Sequence, residues 1–309
     1  MAAGGGVQVA QEREGVGEFP TAAGPAIAPG AVRGYYIDLR PKAAAAGWPP
    51  AWLSPGSLWV NVAQWGLGSF ERHLAGEEGP WLEWARAVAD PLVAHQDGDG
   101  GWSHRDAYKH TFPLAAGWRS AMAQGEGASL LVRIGNETGD ERYLDAARHA
   151  VRAFPEARLG DGRLPEEYPT APPSFVLNGA IFAIWGLYDV WLGAADEDAG
   201  ERFRERVDTL AANVHRWDTG WWSRYDLFPH PVANVASPSY HRLHVLQLRA
   251  LHLLDPRPEL ERTAARCESY AEGPWGRRRA LAQKVAFRAA VPRRRSLARR
   301  LPWSPFFRS

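Results

Sequence analysis

Apolar residues recur at three- and four-residue spacing over eight stretches of the 309-residue chain: 58–74, 80–95, 119–137, 141–154, 174–194, 200–216, 239–254 and 259–272. That is the period of a helix with one buried face, so each stretch predicts an amphipathic α-helix. The boundary residues agree. Thr138-Gly139-Asp140 parts two helices and offers Asp140 as an N-cap, Ser174 is placed to cap the run from Phe175, and Asp255-Pro256 stops the helix that ends at Leu254. Between helix pairs lie loops rich in Gly, Trp, His and Tyr, at 97–118, 155–173 and 218–238. This alternation predicts an all-α dominated fold of helical hairpins. Its helices ring an axis as an α/α toroid, and the loops at one end build a cleft.

Outside these stretches the pattern changes. Residues 1–33 are rich in Gly, Ala and Pro with no apolar period and read as a flexible leader. Residues 34–39 form a short extended piece, a minor N-terminal β element. Pro41, Pro49, Pro50 and Pro55 then argue against any long element before residue 58. Residues 273–309 form a basic tail. Its one amphipathic stretch, 277–290, sets Leu281, Val285 and Phe287 among Arg and Lys, and leads to Pro292, Arg293, Arg294 and Arg295 and the aromatic Trp303, Phe306 and Phe307. Three parts follow: leader 1–33, helical domain 34–272 and tail 273–309.

Charge sharpens that division. The net charge of +1 hides an asymmetry, because the last 37 residues hold ten Arg, one Lys and no acidic group. The first 272 residues then carry 25 basic against 35 acidic groups. The tail at 277–300 suits an anionic membrane surface or another polyanion, and equally a solvated, partly disordered segment. One cysteine, Cys267, excludes a disulfide scaffold and a cysteine-based zinc site. No run reaches the roughly 18–20 apolar residues that span a bilayer, and no secretory signal is evident, so the expectation is a cytoplasmic protein, peripheral to the inner membrane face. Fifteen Trp exceed what a core of this size requires. Some serve as core wedges, and others suit a groove where sugar rings stack.

The candidate chemistry sits in four clusters: Leu164-Pro165-Glu166-Glu167-Tyr168-Pro169 running into Ser174-Phe175-Val176-Leu177-Asn178-Gly179; Trp221-Trp222-Ser223-Arg224-Tyr225-Asp226-Leu227; Asn234 to His244; and Trp118 to Gly127 at a helix start. There is no G-x-S-x-G elbow and no phosphate-binding Gly loop. His241 and His244 lie three apart without an acidic third ligand, so neither a catalytic metal nor a cofactor is expected. A lone Tyr commonly hydrogen-bonds a loop carbonyl. Three of them in separate loops favour a converging site.

The strings Ser120-Ala121-Met122-Ala123-Gln124-Gly125, Glu167-Tyr168-Pro169 with Ser174-Phe175-Val176-Leu177-Asn178-Gly179, Gly186-Leu187-Tyr188-Asp189, Tyr225-Asp226-Leu227, and Tyr240-His241 with His244 and Gln247-Leu248 resemble the C-terminal domain of D-glucuronyl C5-epimerases. The resemblance runs from about residue 35 to 272. It implies an incomplete α/α barrel and inversion at C5 of D-glucuronate in a polymer, giving L-iduronate, as in heparosan-N-sulfate-glucuronate 5-epimerases of heparan sulfate biosynthesis. The family's catalytic Tyr fall on Tyr168, Tyr225 and Tyr240, with Glu167 beside the first. Gln124, Gly125, Glu126, Asn178, Phe182, Asn234, His241 and His244 fall on substrate lining. The implied partner is an acidic polysaccharide, with a homodimer allowed and no nucleic acid. The pattern also departs from the animal members, which follow Tyr-Asp-Leu with Arg-His and carry an Arg three residues after the Asn at 234. Here those positions hold Phe228-Pro229 and Ser237, which leaves the polymer's identity open, with His230, Arg224 and Arg242 as replacements. Two other readings stay in view: a polysaccharide lyase that shares the C5 abstraction and eliminates at O4, and a non-catalytic binder of acidic glycan. A glycoside hydrolase fits less well, because Glu166 and Glu167 are adjacent and point apart if extended.

Overall fold

The computed structural model describes residue 30 and residues 32–43, 58–108 and 111–292. The leader up to residue 29, the prolines at 49, 50 and 55, and the tail from 293 lie outside the described residues. Nine α-helices occur among the described residues: α1 (Trp59–Leu74), α2 (Trp81–Ala94), α3 (Ala121–Thr138), α4 (Glu141–Arg152), α5 (Leu177–Gly193), α6 (Glu197–Asn213), α7 (Pro238–Leu254), α8 (Pro258–Glu272) and α9 (Pro274–Ala290). The eight predicted periodic stretches map onto α1 to α8 in order.

Consecutive helices pair as hairpins: α1 with α2, α3 with α4, α5 with α6 and α7 with α8. The first members of the pairs also touch in sequence order, α1 on α3, α3 on α5 and α5 on α7, so two rows of helices pack against one another. In such an array α1, α3, α5 and α7 run in one direction, and their N-termini share one end with the C-termini of α2, α4, α6 and α8. The three long connections, before α3, α5 and α7, open at that end.

Small residues let the rows close up. An added Cβ on Gly125 of α3 would lie 2.5 Å from the Ala183 Cα of α5, and one on Gly186 would lie 2.5 Å from the Gly125 Cα. Capping follows sequence at several ends. The Asp140 carboxylate accepts from Arg142 N, Ser120 from Ala123 N, Asp196 from Ala199 N, and Ser237 from Tyr240 N ahead of Pro238. Asp255 ends α7 as expected.

A buried ion pair ties the core to the N-terminal segment. Arg133 Nη1 donates to Asp189 Oδ2 at 2.6 Å and to Ser129 O at 2.9 Å, Arg133 Nη2 donates to Gly34 O at 2.7 Å, and the Tyr36 hydroxyl donates to Asp189 Oδ1. Tyr35, Tyr36 and Ile37 are buried in the core. Residues 34–39 form no strand; the next regular piece is a 3-10 turn at Arg40–Ala43. The paired strands among the described residues lie elsewhere, in a hairpin of β1 (Glu156–Leu159) and β2 (Gly162–Pro165), turned at Gly160 with φ of 60°. The predicted β element is thus misplaced, because Tyr35 to Ile37 are used as side-chain wedges and not as a ladder edge.

The basic stretch at 277–290 is helical, as its amphipathic pattern predicts, and it packs on the body. Ala280 and Phe287 are buried, while Trp275, Leu281 and Val285 are exposed on the opposite face. Among the described residues no helix is long and apolar enough to cross a membrane.

Candidate functional site

The hairpin β1/β2 delivers the first cluster. Glu166 N donates to Pro155 O at 2.8 Å, and Ala121 N donates to Glu166 O at 2.9 Å, which fixes this strand exit against the start of α3. The extended backbone then sends Glu166 and Glu167 to opposite sides. The Glu166 carboxylate accepts from Ser174 N at 2.8 Å, Ser174 Oγ at 3.0 Å and Phe175 N at 2.8 Å. Burial nevertheless pushes its pKa up to about 7. Ser174 therefore caps this loop and not a helix. Phe175, held by Glu166 and by a bond from Trp217 Nε1 to its carbonyl at 3.0 Å, has φ of 47°, so α5 starts only at Leu177.

Glu167 turns toward the helices. Its Oε2 lies 2.3 Å from where a Cβ on Gly179 would stand, so α5 passes flush against it. Glu126 of α3 is fully buried and accepts from Gln64 Nε2 at 2.9 Å. Burial holds its carboxyl well above the usual range, and the charge of Glu167 adds to the effect.

Two short bridges, Asp218 to Ser223 and Arg224 to Val235, fold the loop before α7 back on itself. Tyr225 N donates to Asn234 O at 2.8 Å, and Leu177 N donates to Tyr225 O at 3.1 Å. Tyr225 and Tyr240 meet edge to face, ring centres 5.1 Å apart. The third tyrosine is held differently. The Tyr168 carbonyl, 2.8 Å from Ser174 Oγ, shares that hydroxyl's single proton with Glu166, and the Tyr168 ring stacks on Tyr108 at 5.5 Å and Phe112 at 5.1 Å, beside Trp118. Ser174 links the loops, since its own carbonyl accepts from Leu227 N at 2.9 Å. The structure thus puts Tyr225 and Tyr240 in contact and fastens the Tyr168 loop to the Tyr225 loop through Ser174.

Helix α7 adds a buried histidine pair joined by Ser223. His241 Nε2 lies 2.7 Å from Cys267 O and must donate to it, which makes Nδ1 the acceptor for Ser223 N at 3.2 Å and for the Ser223 hydroxyl at 2.8 Å. Ser223 Oγ then accepts from His244 Nδ1 at 2.9 Å. His244 Nε2 is left as an acceptor with no hydrogen-bond partner among the described residues, as are Asn178 Oδ1, Gln247 Oε1 and Glu126 Oε2. Gln247 Nε2 donates to Asn178 O at 3.2 Å, joining α7 to α5. Burial lowers the pKa of His241 to about 4 and that of His244 to about 3, so both are neutral. Three bare acceptors carried by α5 and α7 suit a ligand that brings hydroxyl donors, while burial biases the Glu126 carboxyl on α3 toward its protonated, donating form. Among the described residues no group of three or more His, Cys, Asp or Glu is arranged to hold a metal ion.

Five predicted lining residues are committed to internal contacts. Gln124 Nε2 donates to Gly100 O and Ala150 O while its Oε1 accepts from Trp102 N at 2.8 Å, latching the loop before α3. Gly125 is the helix contact described above, Phe182 stacks on Tyr35 in the core, and His241 stacks on Trp222 at 3.7 Å. Asn234 is pinned, with Nδ2 donating to Asp226 Oδ2 and Oδ1 accepting from Lys284 Nζ at 2.8 Å. His230 meets Asp226 at 3.4 Å and packs among Phe112, Phe228 and Phe287. The sequence strings contain Ser223 and Gln247 without a role for either, and leave out Lys284. The helical spacing of Ala280, Lys284, Phe287 and Val291 was the signal for the last.

The family model described as D-glucuronyl C5-epimerase C-terminus matches residues 96–269, which hold all three tyrosines. The chain is 35% identical over 214 residues to the D-glucuronyl C5-epimerase of Caenorhabditis elegans, covering 60% of this chain and 35% of that protein. It is 31% identical over 160 residues to an uncharacterised protein of Methanocaldococcus jannaschii, covering 47% of this chain and 51% of that one. The chain thus spans about a third of the length of the first relative and about half of the second. With more than half of its residues matched, the chain belongs to the D-glucuronyl C5-epimerase C-terminus family.

Proposed function

We propose that this chain is the catalytic domain of a uronate C5-epimerase that inverts D-glucuronate within an acidic polysaccharide to L-iduronate, with heparosan or its N-sulfated form as the default substrate. The observation that carries the reading is the Tyr225–Tyr240 contact beside the Tyr168 loop, at the end of the array where the N-termini of α3, α5 and α7 gather. On this reading the two helix rows are an incomplete α/α barrel and the loop end is its cleft.

The chemistry fits the groups. The C5 hydrogen is α to a carboxylate, and removing it places charge on the carboxylate oxygens, where a positive potential and hydrogen-bond donors stabilise it. Inversion needs one group to take the proton from one face and a second to return a proton to the other. Tyr168 and Tyr240 are assigned to the two faces, Tyr225 orients Tyr240, and Glu167 serves as the acid partner of Tyr168. The bare acceptors on Asn178, His244 and Gln247 receive sugar hydroxyls.

The test is incubation with heparosan and related glucuronate polymers in deuterated water, followed by NMR at C5. Deuterium at C5 with an iduronate signal is the expected result, lost in Tyr168→Phe and Tyr240→Phe by at least about 100-fold, the scale of one acid/base group. No exchange on any glucuronate polymer would refute the assignment. An unsaturated, ultraviolet-absorbing product would mark a lyase instead.

A further inference from the structure

Helix α9 turns one face to the body and the other to solvent. On the inner face Ala280 and Phe287 are buried, Gln283 Nε2 donates to Ala233 O at 3.2 Å, Lys284 Nζ donates to Val235 O at 2.9 Å, and Arg288 Nη1 donates to Thr111 Oγ1 at 2.9 Å. These contacts fix the rotation of the helix about its axis, so its outer face cannot roll inward. On that outer face Trp275, Arg278, Leu281 with Ala282, Val285 and Ala289 follow one another at three- and four-residue spacing, and all are exposed. Trp275 is 76% exposed, Leu281 63% and Val285 64%. Among the described residues four large apolar side chains are exposed; three lie on this strip, and the fourth is Leu253 of α7. Such a concentration on one face marks an interaction surface.

Charge says what the surface meets. Helix α9 carries Arg277, Arg278, Arg279, Lys284 and Arg288 with no acidic residue, and the sequence at 293–309 adds six Arg and again no acidic residue. Arg277, Arg278 and Arg279 are exposed, and the Arg278 guanidinium lies 5.9 Å from the centre of the Trp275 ring. In the first 272 residues acidic groups outnumber basic ones, so an anionic surface is repelled by the body and drawn to this helix. We propose that the outer face of α9 docks on an anionic phospholipid bilayer. The helix lies in the plane of the surface, with Trp275, Leu281 and Val285 entering the boundary between headgroups and acyl chains and the arginines meeting lipid phosphates. A soluble polyanion would satisfy the arginines and leave Leu281 and Val285 in water. A neutral apolar partner would leave the arginines unmatched. A bilayer of acidic lipids answers both, and Trp suits its water boundary. The inner face then holds Thr111 and the 233–235 segment roughly 10 Å from the lipid, one helix diameter. The proposal stands apart from the epimerase reading.

The experiment is flotation of the full chain with phosphatidylcholine vesicles, with or without about 30% phosphatidylglycerol, at roughly 0.1 M salt. The parent is compared with three variants, each first shown to melt as the parent does: Trp275→Ala, Leu281→Ser and Val285→Ser combined; Arg277→Gln and Arg278→Gln combined; and Leu253→Ser as the exposed apolar control. The parent is expected to bind the anionic vesicles at least about tenfold more tightly than the neutral ones, since each arginine near such a surface contributes about fivefold. The combined apolar variant should lose at least about tenfold in affinity, the arginine variant about as much, and Leu253→Ser none. A parent that does not float with anionic vesicles overturns the proposal. Binding that survives the apolar variant is attraction by charge alone and overturns it too. A parent that is dimeric without vesicles, and becomes monomeric in the apolar variant by sedimentation velocity, assigns the face to a second copy and likewise refutes the lipid assignment.

Discussion

Replacing Gly125 by Ala tests the packing on which the site rests. The added Cβ would stand 2.5 Å from Ala183 Cα and 2.7 Å from Phe182 O, and both are backbone atoms that no side-chain rotation can move. Restoring ordinary contact at about 3.4 Å requires α3 and α5 to part by about 0.9 Å in a close-packed interior. Overpacking of this kind costs about 1–3 kcal/mol. In a chain of this size each kcal/mol lowers Tm by about 2–4 °C, so the variant is expected to melt about 2–12 °C below the parent. Thermal unfolding followed by far-ultraviolet circular dichroism at matched scan rates reads this directly. Gly139→Ala is the comparison: it has φ of 73° with nothing within 4 Å of the added carbon, and so carries only a left-handed backbone cost of roughly 1–2 kcal/mol. Parental melting of Gly125→Ala would refute the claim that the two helices touch through this glycine. Because Glu126 is the next residue on α3, parting the helices also changes its position relative to Glu167.

Asp189→Asn should destabilise the fold by about 3–5 kcal/mol, because it leaves the Arg133 guanidinium buried without its anionic partner. A fall of the urea midpoint at constant m-value is the expected result, and an unchanged midpoint would contradict it. His241 has a pKa of about 4 in the fold against an ordinary value near ~6.5. The unfolded chain therefore takes up this proton first as pH falls, and the stability His241 contributes is complete above about pH 6.5 and drains toward pH 4. At about 1.4 kcal/mol per unit, the stability gap between the parent and His241→Gln should narrow by about 2 kcal/mol from pH 6.5 to 5. Urea midpoints at the two pH values measure it, and a constant gap would overturn the assignment of a neutral, buried imidazole.

The hairpins were legible because most of these helices bury one face and α1 to α8 follow the three- and four-residue period within a few residues, although α3 and α5, between the other helices, are buried all round from Ala121 to Gly135 and from Leu177 to Val190. Ser174 misled because its hydroxyl and amide are taken by Glu166, eight residues earlier, a tertiary contact that no local capping rule anticipates. The hairpin β1/β2 has four-residue strands, too short for alternation to register, although Gly160-Asp161-Gly162 is a turn signal. In the site, Tyr168, Tyr225 and Tyr240 were identified through resemblance. Gln124, Gly125 and Phe182 carry the same family pattern, and the structure uses them to hold a loop and to pack helices. Lys284 was hidden because a run of arginines around it reads as a solvated charge block, whereas its neighbours Ala280 and Phe287 are buried.

The anchors of α9 have a consequence for the order in which the molecule is made. Arg288 reaches back 177 residues to Thr111, and Lys284 reaches back 50 to Asn234, so one late helix clasps two loops that were synthesised well before it. The helix pairs are local in sequence and can form as the chain emerges, since contacts of short separation close quickly. The loop ends cannot take their final arrangement until residues near 290 have cleared the ribosome. The body of the protein is thus built early, and the candidate site is assembled last.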